Sequence, residues 1–558
     1  MAEIMKQTLT VMLYEQASKN PGKTALTIVG QNLSYSDLVE RSNSVARGLR
    51  QFGVGRHSVV ATLAENSADQ VLLQFACARL GALEVMLNTA YRGSFLAHQL
   101  NVSGAENIIV DHDLVPVVLE IAAGLPALKR IIVRGGDYHP ETPPPLDMAR
   151  MEELHGHPGT DLSDLPDPVW SDPATIAFTS GTTGLSKGAV LSQNYLCNFA
   201  MVESLLWYRT EQDVFYSCGP LFHLAAKGIG VLGALCRGVR CVQDERFSVG
   251  RFWPRIREEG CNATLMLGSM AMLLWTREQA DDEGVPTVVC IPAPPASLQQ
   301  EMARRWRCGF ESNYGLSEAA PLSRSGPDIP LRPGSSGKIT PELFDVRIFD
   351  EDDGELPAGQ VGEVVVRPSA PHIMFDGYYR NPEASLERFR NLWFHTGDLG
   401  KVDEDGYFYF VDRKDDYLRR RGENISSQEI EAALGRHPAV LEAAVVGVDS
   451  IFLEQEVKAV IAVRPGMSIE PAELISHCVA AMPYFAVPRY LEFADDLPRT
   501  PSGKVQKHKL RERGTADCWD REAAGIRLSG KRESRTPASG NLATGNPASR
   551  NPASRNPA

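Results

Sequence analysis

Apolar runs alternate with helical stretches from about residue 21 to residue 111. Segments 25–30 (ALTIVG) and 58–66 (SVVATLAEN) are typical of buried strands. Segments 33–53 and 67–81 are typical of helices, since their apolar residues recur at helical spacing. Strands that alternate with helices usually pair in parallel, so we expect an α/β fold with mostly parallel sheets.

The pattern changes after residue 340. Segment 344–368 contains two strand patterns around an acidic turn with Gly and Pro, which predicts a β-rich subdomain. Segment 406–422 (GYFYFVDRKDDYLRRRG) begins apolar and becomes abruptly charged, and we expect a hinge in its second half. The residues that follow are typical of a small α+β domain.

Three regions follow from these patterns. We expect a large N-terminal domain over residues 1–411, built of parallel α/β sheets and the β-rich subdomain. A small mobile C-terminal domain is expected over 412–513. Residues 514–558 form the tail, which repeats a five-residue unit (NPASR) from Thr536 onward. This tail has few large apolar residues, so we expect it to be disordered.

Composition excludes several function classes. The 558 residues carry a net charge of −13, which argues against a nucleic-acid partner because phosphate binding needs a basic surface. The ten cysteines show no CxxC spacing, as expected of a reduced protein without structural zinc. The sequence has no apolar segment long enough to predict a membrane span. We expect a cytoplasmic protein. The oligomeric state stays open.

A strand pattern at 172–180 runs into the segment 179–188 (TSGTTGLSKG), which is rich in glycine and hydroxyl groups and contains Lys187. Such a segment can surround phosphate oxygens with backbone N–H groups, hydroxyls and one positive charge. It is not a Walker loop, because Lys187 follows Ser186 and precedes Gly188. From these residues alone, a flexible surface loop remains an alternative.

Four further motifs follow in order: 314–318 (YGLSE), 393–398 (WFHTGD), 412–424 (DRKDD and RGEN) and 498–504 (PRTPSGK). Together with 179–188, they resemble the adenylate-forming (ANL) superfamily, which includes acyl-CoA synthetases, firefly luciferase and peptide-synthetase adenylation domains. Ser186 stands where that superfamily usually has proline. Segments 419–431 and 449–459 are most similar to the crotonobetaine/carnitine-CoA ligase branch.

The resemblance implies an AMP-forming acid–CoA ligase that uses ATP, Mg²⁺ and CoA. A carboxylate would attack the α-phosphorus of ATP and release pyrophosphate, and the CoA thiol would then take the acyl group. Since both first reactants are anions, charge neutralisation and alignment should dominate catalysis. Two alternatives stay open: an adenylating enzyme that loads a carrier protein, and an inactive protein that binds nucleotide or acyl groups.

The resemblance also assigns roles to individual residues. Lys504 would bridge the acid and the α-phosphate, while Ser317 and His223 complete the catalytic set with Glu318. Magnesium ligands would be Glu318 and Thr182, oxygen donors of the kind Mg²⁺ prefers. Asp415 would be the hinge and Gly422 would line the CoA tunnel. The implied ATP- and AMP-binding residues are Thr179, Ser180, Gly181, Thr182, Thr183, Gly184, Lys187, Tyr314, Gly315, Asp398 and Arg413.

The acid pocket is expected in segments 221–228, 266–271 and 315–321, whose small, apolar and sulfur-containing residues suggest a mainly apolar acyl group, as in fatty acid metabolism. His223 would stand at the pocket wall, and Lys227 would face water. Residues 292–295 (PAPP) depart from the Gly/Ala-rich turn that contacts adenine in the superfamily, so the shape of that turn stays open.

Overall fold

A computed structural model of the chain describes residues 4–136, 138, 146–155, 167–179, 186–276, 284–294, 296–413, 417–420, 423–450, 454–498, 505 and 507–528. Within these ranges, no helix has both the length and the apolar character that crossing a bilayer requires.

The fold begins with two helices around an antiparallel hairpin: α1 (Leu9–Lys19), β1 (Thr24–Ile28), β2 (Gln31–Ser34) and α2 (Tyr35–Gln51). Ser34 starts α2 with a capping box, in which its hydroxyl accepts the N–H of Asp37 and the Asp37 carboxylate accepts the N–H of Ser34. Two otherwise unpaired donors are thereby satisfied, which fixes the start of the helix.

The first seven-stranded sheet has the order β7-β6-β5-β3-β4-β8-β9, and every neighbouring pair is parallel except β8 with β9. Its strands are β3 (Val59–Leu63), β4 (Leu83–Met86), β5 (Asn107–Asp111), β6 (Arg130–Arg134), β7 (Asp147–Arg150), β8 (Pro173–Thr179) and β9 (Lys187–Ser192). The accompanying helices are α3 (Ala68–Leu80), α4 (Gly93–Ser103), α5 (Val115–Ile121) and α6 (Glu152–His155), with 3₁₀ turns at His112–Leu114 and Ala122–Gly124.

The second seven-stranded sheet has the order β14-β13-β12-β10-β11-β1-β2. Its new strands are β10 (Val214–Ser217), β11 (Arg240–Gln243), β12 (Ala263–Leu267), β13 (Thr287–Ile291) and β14 (Gly309–Glu311). The helices are α7 (Gln193–Ser204), α8 (Gly233–Cys236), α9 (Phe252–Glu258), α10 (Gly268–Thr276) and α11 (Ala296–Trp306), and a π-helix covers Ala226–Leu232. One continuous core includes residues of both sheets, such as Val60 and Leu26.

A β-rich region follows, as the sequence predicts. Its strands are β15 (Asn313–Leu316), β16 (Ala319–Arg324), β17 (Lys338–Ile339), β18 (Phe344–Phe349), β19 (Gly362–Pro368), β20 (Phe389–Arg390), β21 (Trp393–Val402) and β22 (Phe408–Arg413), with α12 at Pro382–Arg388. The predicted hairpin over 344–368 is confirmed, because β18 and β19 pair in antiparallel register.

The C-terminal domain contains β23 (Tyr417–Arg420), β24 (Glu423–Ser426), α13 (Ser427–Leu434), β25 (Val440–Asp449), β26 (Gln455–Val463), α14 (Pro471–Ala481), β27 (Tyr490–Ala494), α15 (Lys507–Glu512) and β28 (Trp519–Asp520). Strands β25 to β28 form one sheet in that order. The predicted fold class is confirmed: a large domain with parallel α/β sheets and a β-rich region precedes a small mixed domain.

The folded chain extends beyond the boundary at residue 513 that the sequence predicts. Strand β28 pairs with β27, and Trp519 packs against the core of the C-terminal domain. Arg521 is 1% exposed and donates hydrogen bonds to the carbonyls of Pro488 and Ile526. Residues 514–528 therefore belong to this domain, while residues 529–558, with the repeats, lie outside the described residues.

The two domains contact each other at α4 and at Ser186, which directly precedes β9. Phe95 of α4 is buried in the core of the C-terminal domain, and the ring of the nearby Tyr91 lies 6.2 Å from that of Phe485. These contacts place the hairpin β23–β24 beside the N-terminal domain in this arrangement.

Candidate active site

A cavity of about 310 Å³ is lined by residues of both parallel sheets, of the β-rich region and of the C-terminal domain. The segments 221–228, 266–271 and 315–321, in which the sequence places the acid pocket, all contribute to it. The lining contains both polar and apolar side chains. Its polar residues include Thr179, Lys187, His223, Ser317, Glu318 and Glu423. Its apolar residues include Phe199, Leu224, Ala226, Ile229, Met266 and Met270.

Glu318 lies in the turn between β15 and β16 and is buried. Its Oε1 accepts hydrogen bonds from the hydroxyls of Tyr378, at 2.7 Å, and of Thr179, at 3.4 Å. Lys187 lies over the ring of the same Tyr378, with its Nζ 5.3 Å from the ring centroid. Burial and the nearby charge of Arg388 lower the pKa of Lys187. The structure therefore brings together the predicted residues Thr179, Lys187 and Glu318.

Sequence reasoning missed Tyr378, which contacts two of these three residues. It lies just before α12, in the segment Gly377–Arg380, where none of the recognised motifs falls. Its isolated position between motifs gives no sequence signal of its role.

A second group forms where β15 and β21 approach each other. The Tyr314 hydroxyl donates to Oδ2 of Asp398 at 2.8 Å, and both residues are buried. The Tyr314 ring stacks on Phe408, with centroids 4.4 Å apart. Arg413, at the end of β22, is the register partner of Asp398. Three predicted nucleotide-binding positions thus converge on neighbouring strands.

Gly315, in β15, and Ser317, in the turn that follows, both line the cavity. A Cβ added at Gly315 would lie 2.7 Å from the Cβ of Ala320, so the close approach of β15 to β16 requires glycine here.

His223 lines the cavity, and its Nε2 lies 3.1 Å from Oε2 of Glu423 in the C-terminal domain. Glu423 directly follows Gly422, the residue to which the sequence assigns CoA binding. A carboxylate at this distance can orient the imidazole ring.

The expectation that Lys227 faces water is wrong. Lys227 lies in the π-helix and is 1% exposed, and its Nζ lies 2.7 Å from Oε2 of Glu84, which is equally buried. Burial raises the pKa of Glu84 and lowers that of Lys227, while their mutual attraction opposes both shifts. The π-helix can lie this close to α7 because Gly228 has no side chain: a Cβ there would overlap the ring of Phe199.

A further polar pair among the lining residues was not predicted. The Nδ2 of Asn313 lies 2.5 and 2.6 Å from the two carboxylate oxygens of Glu203, at the end of α7. Both residues line the cavity and both are buried. Burial raises the pKa of Glu203 to about 8, against the opposing effect of the Asn313 hydrogen bond.

Several predicted residues lie outside the described residues: Ser180, Gly181, Thr182, Thr183, Gly184, Asp415, Gly422 and Lys504. The flanking residues of the 179–188 segment are described, and Ser186 is buried. Its backbone N–H donates to Oε1 of Glu429 in the C-terminal domain at 2.8 Å, and its carbonyl lies 2.9 Å from Nε2 of His98.

The donor set fits Mg²⁺. Among the described residues, no group of three His, Cys, Asp or Glu side chains forms a closed metal cage. Mg²⁺ is usually held by one or two carboxylates together with substrate phosphates, rather than by an all-protein cage. The buried carboxylate of Glu318, beside the hydroxyl of Thr179 and the cation of Lys187, is suited to such an open site.

The small C-terminal domain contacts a cavity whose lining combines charged and polar groups with apolar ones. Residues 13–379 match the family described as AMP-binding enzyme, and residues 429–504 match the AMP-binding enzyme C-terminal domain. The chain belongs to the AMP-binding enzyme family.

Named relatives and solved structures agree with this placement. The chain is 33% identical over 512 residues to a feruloyl-CoA synthase of Amycolatopsis sp, covering 89% of this chain and 97% of that protein. It is 28% identical over 517 residues to the crotonobetaine/carnitine–CoA ligase of Salmonella paratyphi A, covering 90% and 99%. The crystal structure of the anthranilate CoA ligase AuaEII in complex with anthranoyl-AMP is 26% identical, with a TM-score of 0.68 and coverage of 91% and 97%. The predicted class, an AMP-forming acid–CoA ligase, is confirmed.

Proposed function

We propose that this cavity is the site of both half-reactions, with the ATP phosphates at Lys187, Thr179 and Glu318 and the acid along the apolar lining. One observation carries the proposal: a single cavity is lined by the buried carboxylate–tyrosine–lysine group and by the apolar residues of three separate segments. An acid held there has its carboxylate beside the phosphates that it must approach.

The first half-reaction joins two anions. The acid's carboxylate attacks the α-phosphorus, a P–O bond forms, and the bond to pyrophosphate breaks. Lys187 offsets negative charge on the departing phosphates. Glu318 with Thr182 would hold Mg²⁺, which would supply further charge neutralisation. The hydroxyl of Ser317 orients the α-phosphate. Fixed charges and donors of this kind act most strongly in a cavity that excludes water.

The nucleoside is held by the second group. Asp398 accepts hydrogen bonds from the ribose hydroxyls, Arg413 contacts the ribose, and Tyr314 positions the adenine. In the structure, Tyr314 is fixed by its hydrogen bond to Asp398 and by its stack on Phe408. Because the Tyr314 side chain is already held in place, it loses little conformational entropy when the nucleotide binds.

Lys504 bridges the carboxylate and the α-phosphate in the first step and leaves for the second, as the C-terminal domain turns about Asp415. Gly422 then leaves room for the thiol arm of CoA, whose sulfur attacks the acyl carbon and releases AMP. Glu423 directly follows Gly422, and its contact with His223 supports the proposal that this part of the C-terminal domain takes part in thiol transfer. We place the enzyme in the cytoplasm, with an acid, ATP and CoA as its small-molecule partners.

Pyrophosphate exchange into ATP tests this function. It is measured across a panel of carboxylic acids with wild type, Lys504→Ala and the control Lys509→Ala, an exposed lysine of α15. We expect exchange that Lys504→Ala abolishes and Lys509→Ala leaves intact, followed by thioester formation with CoA. Exchange without thioester would point to a carrier protein as acceptor, and ATP binding without exchange on any acid would point to an inactive binder.

A further inference from the structure

The apolar lining of the cavity is interrupted by Glu203 and Asn313. Glu203 lies one helical turn after Phe199 on α7, so both side chains occupy the same face of the helix and both line the cavity. Asn313 begins β15, two residues before the predicted nucleotide contact Gly315. The pair therefore lies in the wall that receives the acid, beside residues such as Ile229 and Met266.

Glu203 has no cationic partner among the described residues, in which its side chain is held by the amide of Asn313 alone. Arg324, the charge that most favours its ionised form, is bound to Asp328 through two hydrogen bonds of 3.0 and 2.9 Å. Burying a carboxyl group without a counter-charge costs free energy, and the pKa of about 8 reflects that cost. A purely structural role would be filled more stably by an apolar side chain.

The pair presents hydrogen-bond acceptors to the cavity. The carbonyl oxygen of the Glu203 carboxyl group accepts in either protonation state, and Oδ1 of Asn313 accepts a hydrogen bond from none of the residues that the structure describes. Both side chains line the same wall, so a ligand that brings a donor would satisfy them. An apolar acid would leave them without that partner.

We propose that Glu203 and Asn313 select acids that carry a hydrogen-bond donor, a hydroxyl or an amino group, on the part of the molecule distant from the reacting carboxylate. The inference rests on the proposed function, since it concerns the acid of that same reaction. A pocket built to hydrogen-bond a substrate group rejects the analogue without that group strongly, because buried polar atoms then lose their partner. The lining is otherwise apolar, so the body of the acid should be apolar.

Matched acids test the proposal by pyrophosphate exchange. Two series, benzoic and cinnamic acids, carry at the para position a methyl, hydroxyl, amino or aminomethyl group. The methyl group matches the hydroxyl in size and lacks the donor, and the aminomethyl group adds a positive charge. We expect kcat/KM of wild type to be about tenfold or more higher for a donor-bearing acid than for its methyl analogue. Comparing the hydroxyl, amino and aminomethyl arms identifies which donor the site takes.

The variants Glu203→Met and Glu203→Gln are measured with the same acids. Glu203→Met should remove the preference for the donor by lowering kcat/KM mainly for donor-bearing acids, through KM. Glu203→Gln keeps one carbonyl acceptor and should retain part of the preference, a result available even if the methionine variant folds poorly. Glu311→Gln is the control: this carboxyl group is also mostly buried with a raised pKa, but it does not line the cavity.

A wild-type enzyme that uses the methyl analogues as well as the donor-bearing acids would overturn the inference and leave the proposed function standing. The same holds for a donor preference that both Glu203 variants keep in full. Absence of lysine-dependent exchange with every acid of both series and of the wider panel would overturn the proposed function itself, and with it the inference.

Discussion

Ser186 and Glu429 connect the predicted phosphate-binding segment, residues 179–188, to the C-terminal domain through a backbone hydrogen bond. The Ser186 N–H donates to Oε1 of Glu429 at 2.8 Å, and both residues are buried. Most members of the superfamily that the sequence resembles have proline at the position of Ser186. Proline has no N–H, so this contact depends on a departure from the usual motif.

The first prediction concerns that departure. Ser186→Pro should remove the hydrogen bond from the Ser186 N–H to the buried Glu429 carboxyl group, and the loss of such a bond costs about 1–3 kcal/mol. Because the bond exists in the arrangement that places Glu423 at His223, we expect slower acyl transfer to CoA, by roughly tenfold, with a smaller effect on adenylate formation. Single-turnover measurements of both steps test this. Ser186→Ala, which keeps the N–H, is the control, and equal losses in both steps for the proline variant would contradict the prediction.

The second prediction is a pH dependence of the same contact. Burial raises the pKa of Glu429 from 4.5 to about 7, against the opposing hydrogen bond from Ser186. At low pH, a carboxyl group with a raised pKa favours the domain arrangement in which it is buried. This preference is lost as pH rises from about 4.5 through 7. The ratio of acyl transfer to adenylate formation should therefore fall between pH 6 and pH 8 relative to Glu429→Gln.

Comparison at each pH separates Glu429 from other titrations. Ionisation of the CoA thiol affects the wild type and Glu429→Gln alike, so the difference between their profiles reports on Glu429. Glu473→Gln, an exposed carboxylate of α14, serves as the matched control. Parallel pH profiles for the wild type and Glu429→Gln would show that the contact does not influence domain arrangement.

The third prediction separates Glu318 from Tyr378. Glu318→Gln should lower the rate of adenylate formation by about 100-fold or more and raise the Mg²⁺ concentration needed for half-maximal rate, since an amide neutralises no cation charge. Tyr378→Phe keeps the Glu318 carboxylate and removes the 2.7 Å hydrogen bond that orients it, so we expect a loss of roughly tenfold and a smaller shift in Mg²⁺ requirement.

Tyr379→Phe is the control for this prediction, because the neighbouring Tyr379 hydroxyl makes no hydrogen bond within the described part of the chain. If Tyr378→Phe behaved like Tyr379→Phe at every Mg²⁺ concentration, Tyr378 would not position Glu318.

The sequence predicts those features of the fold and site that have local patterns. Alternating strands and helices indicated the parallel sheets, and compact motifs contained Lys187, Glu318 and Asp398. The residues that the sequence did not indicate are in contact with partners far away along the chain. Tyr378 is 60 residues from Glu318, and Asn313 is 110 residues from Glu203. No spacing within a segment shows which remote side chain will meet it.

The two departures from expectation have the same physical origin. Strand β28 is two residues long and forms only because β27 supplies a partner, so its own pattern could not predict it. Lys227 follows an apolar run, where a lysine ordinarily reaches water. Its partner Glu84 is 143 residues away, on a strand of the other sheet.

The fourth prediction tests that buried ion pair. Lys227→Met should leave the Glu84 carboxyl group, which is 1% exposed, without its positive partner. Removing one member of a buried ion pair lowers the free energy of unfolding by about 3–5 kcal/mol. The double variant Glu84→Leu with Lys227→Met removes both charges, so it should recover most of that loss. Chemical denaturation measures the effect as a shift in midpoint of the transition of the N-terminal domain.

Arg251→Met provides the comparison, because Arg251 pairs with Glu258 on the surface, where both side chains are about half exposed. Surface pairs contribute about 0–1 kcal/mol, so its midpoint should hardly move. If Lys227→Met shifted the midpoint no more than Arg251→Met, Lys227 would behave as the solvent-facing lysine that its sequence context suggests. A large shift that the double variant reverses would instead show that the pair fixes the π-helix, whose Ala226 and Ile229 line the cavity, against the first sheet.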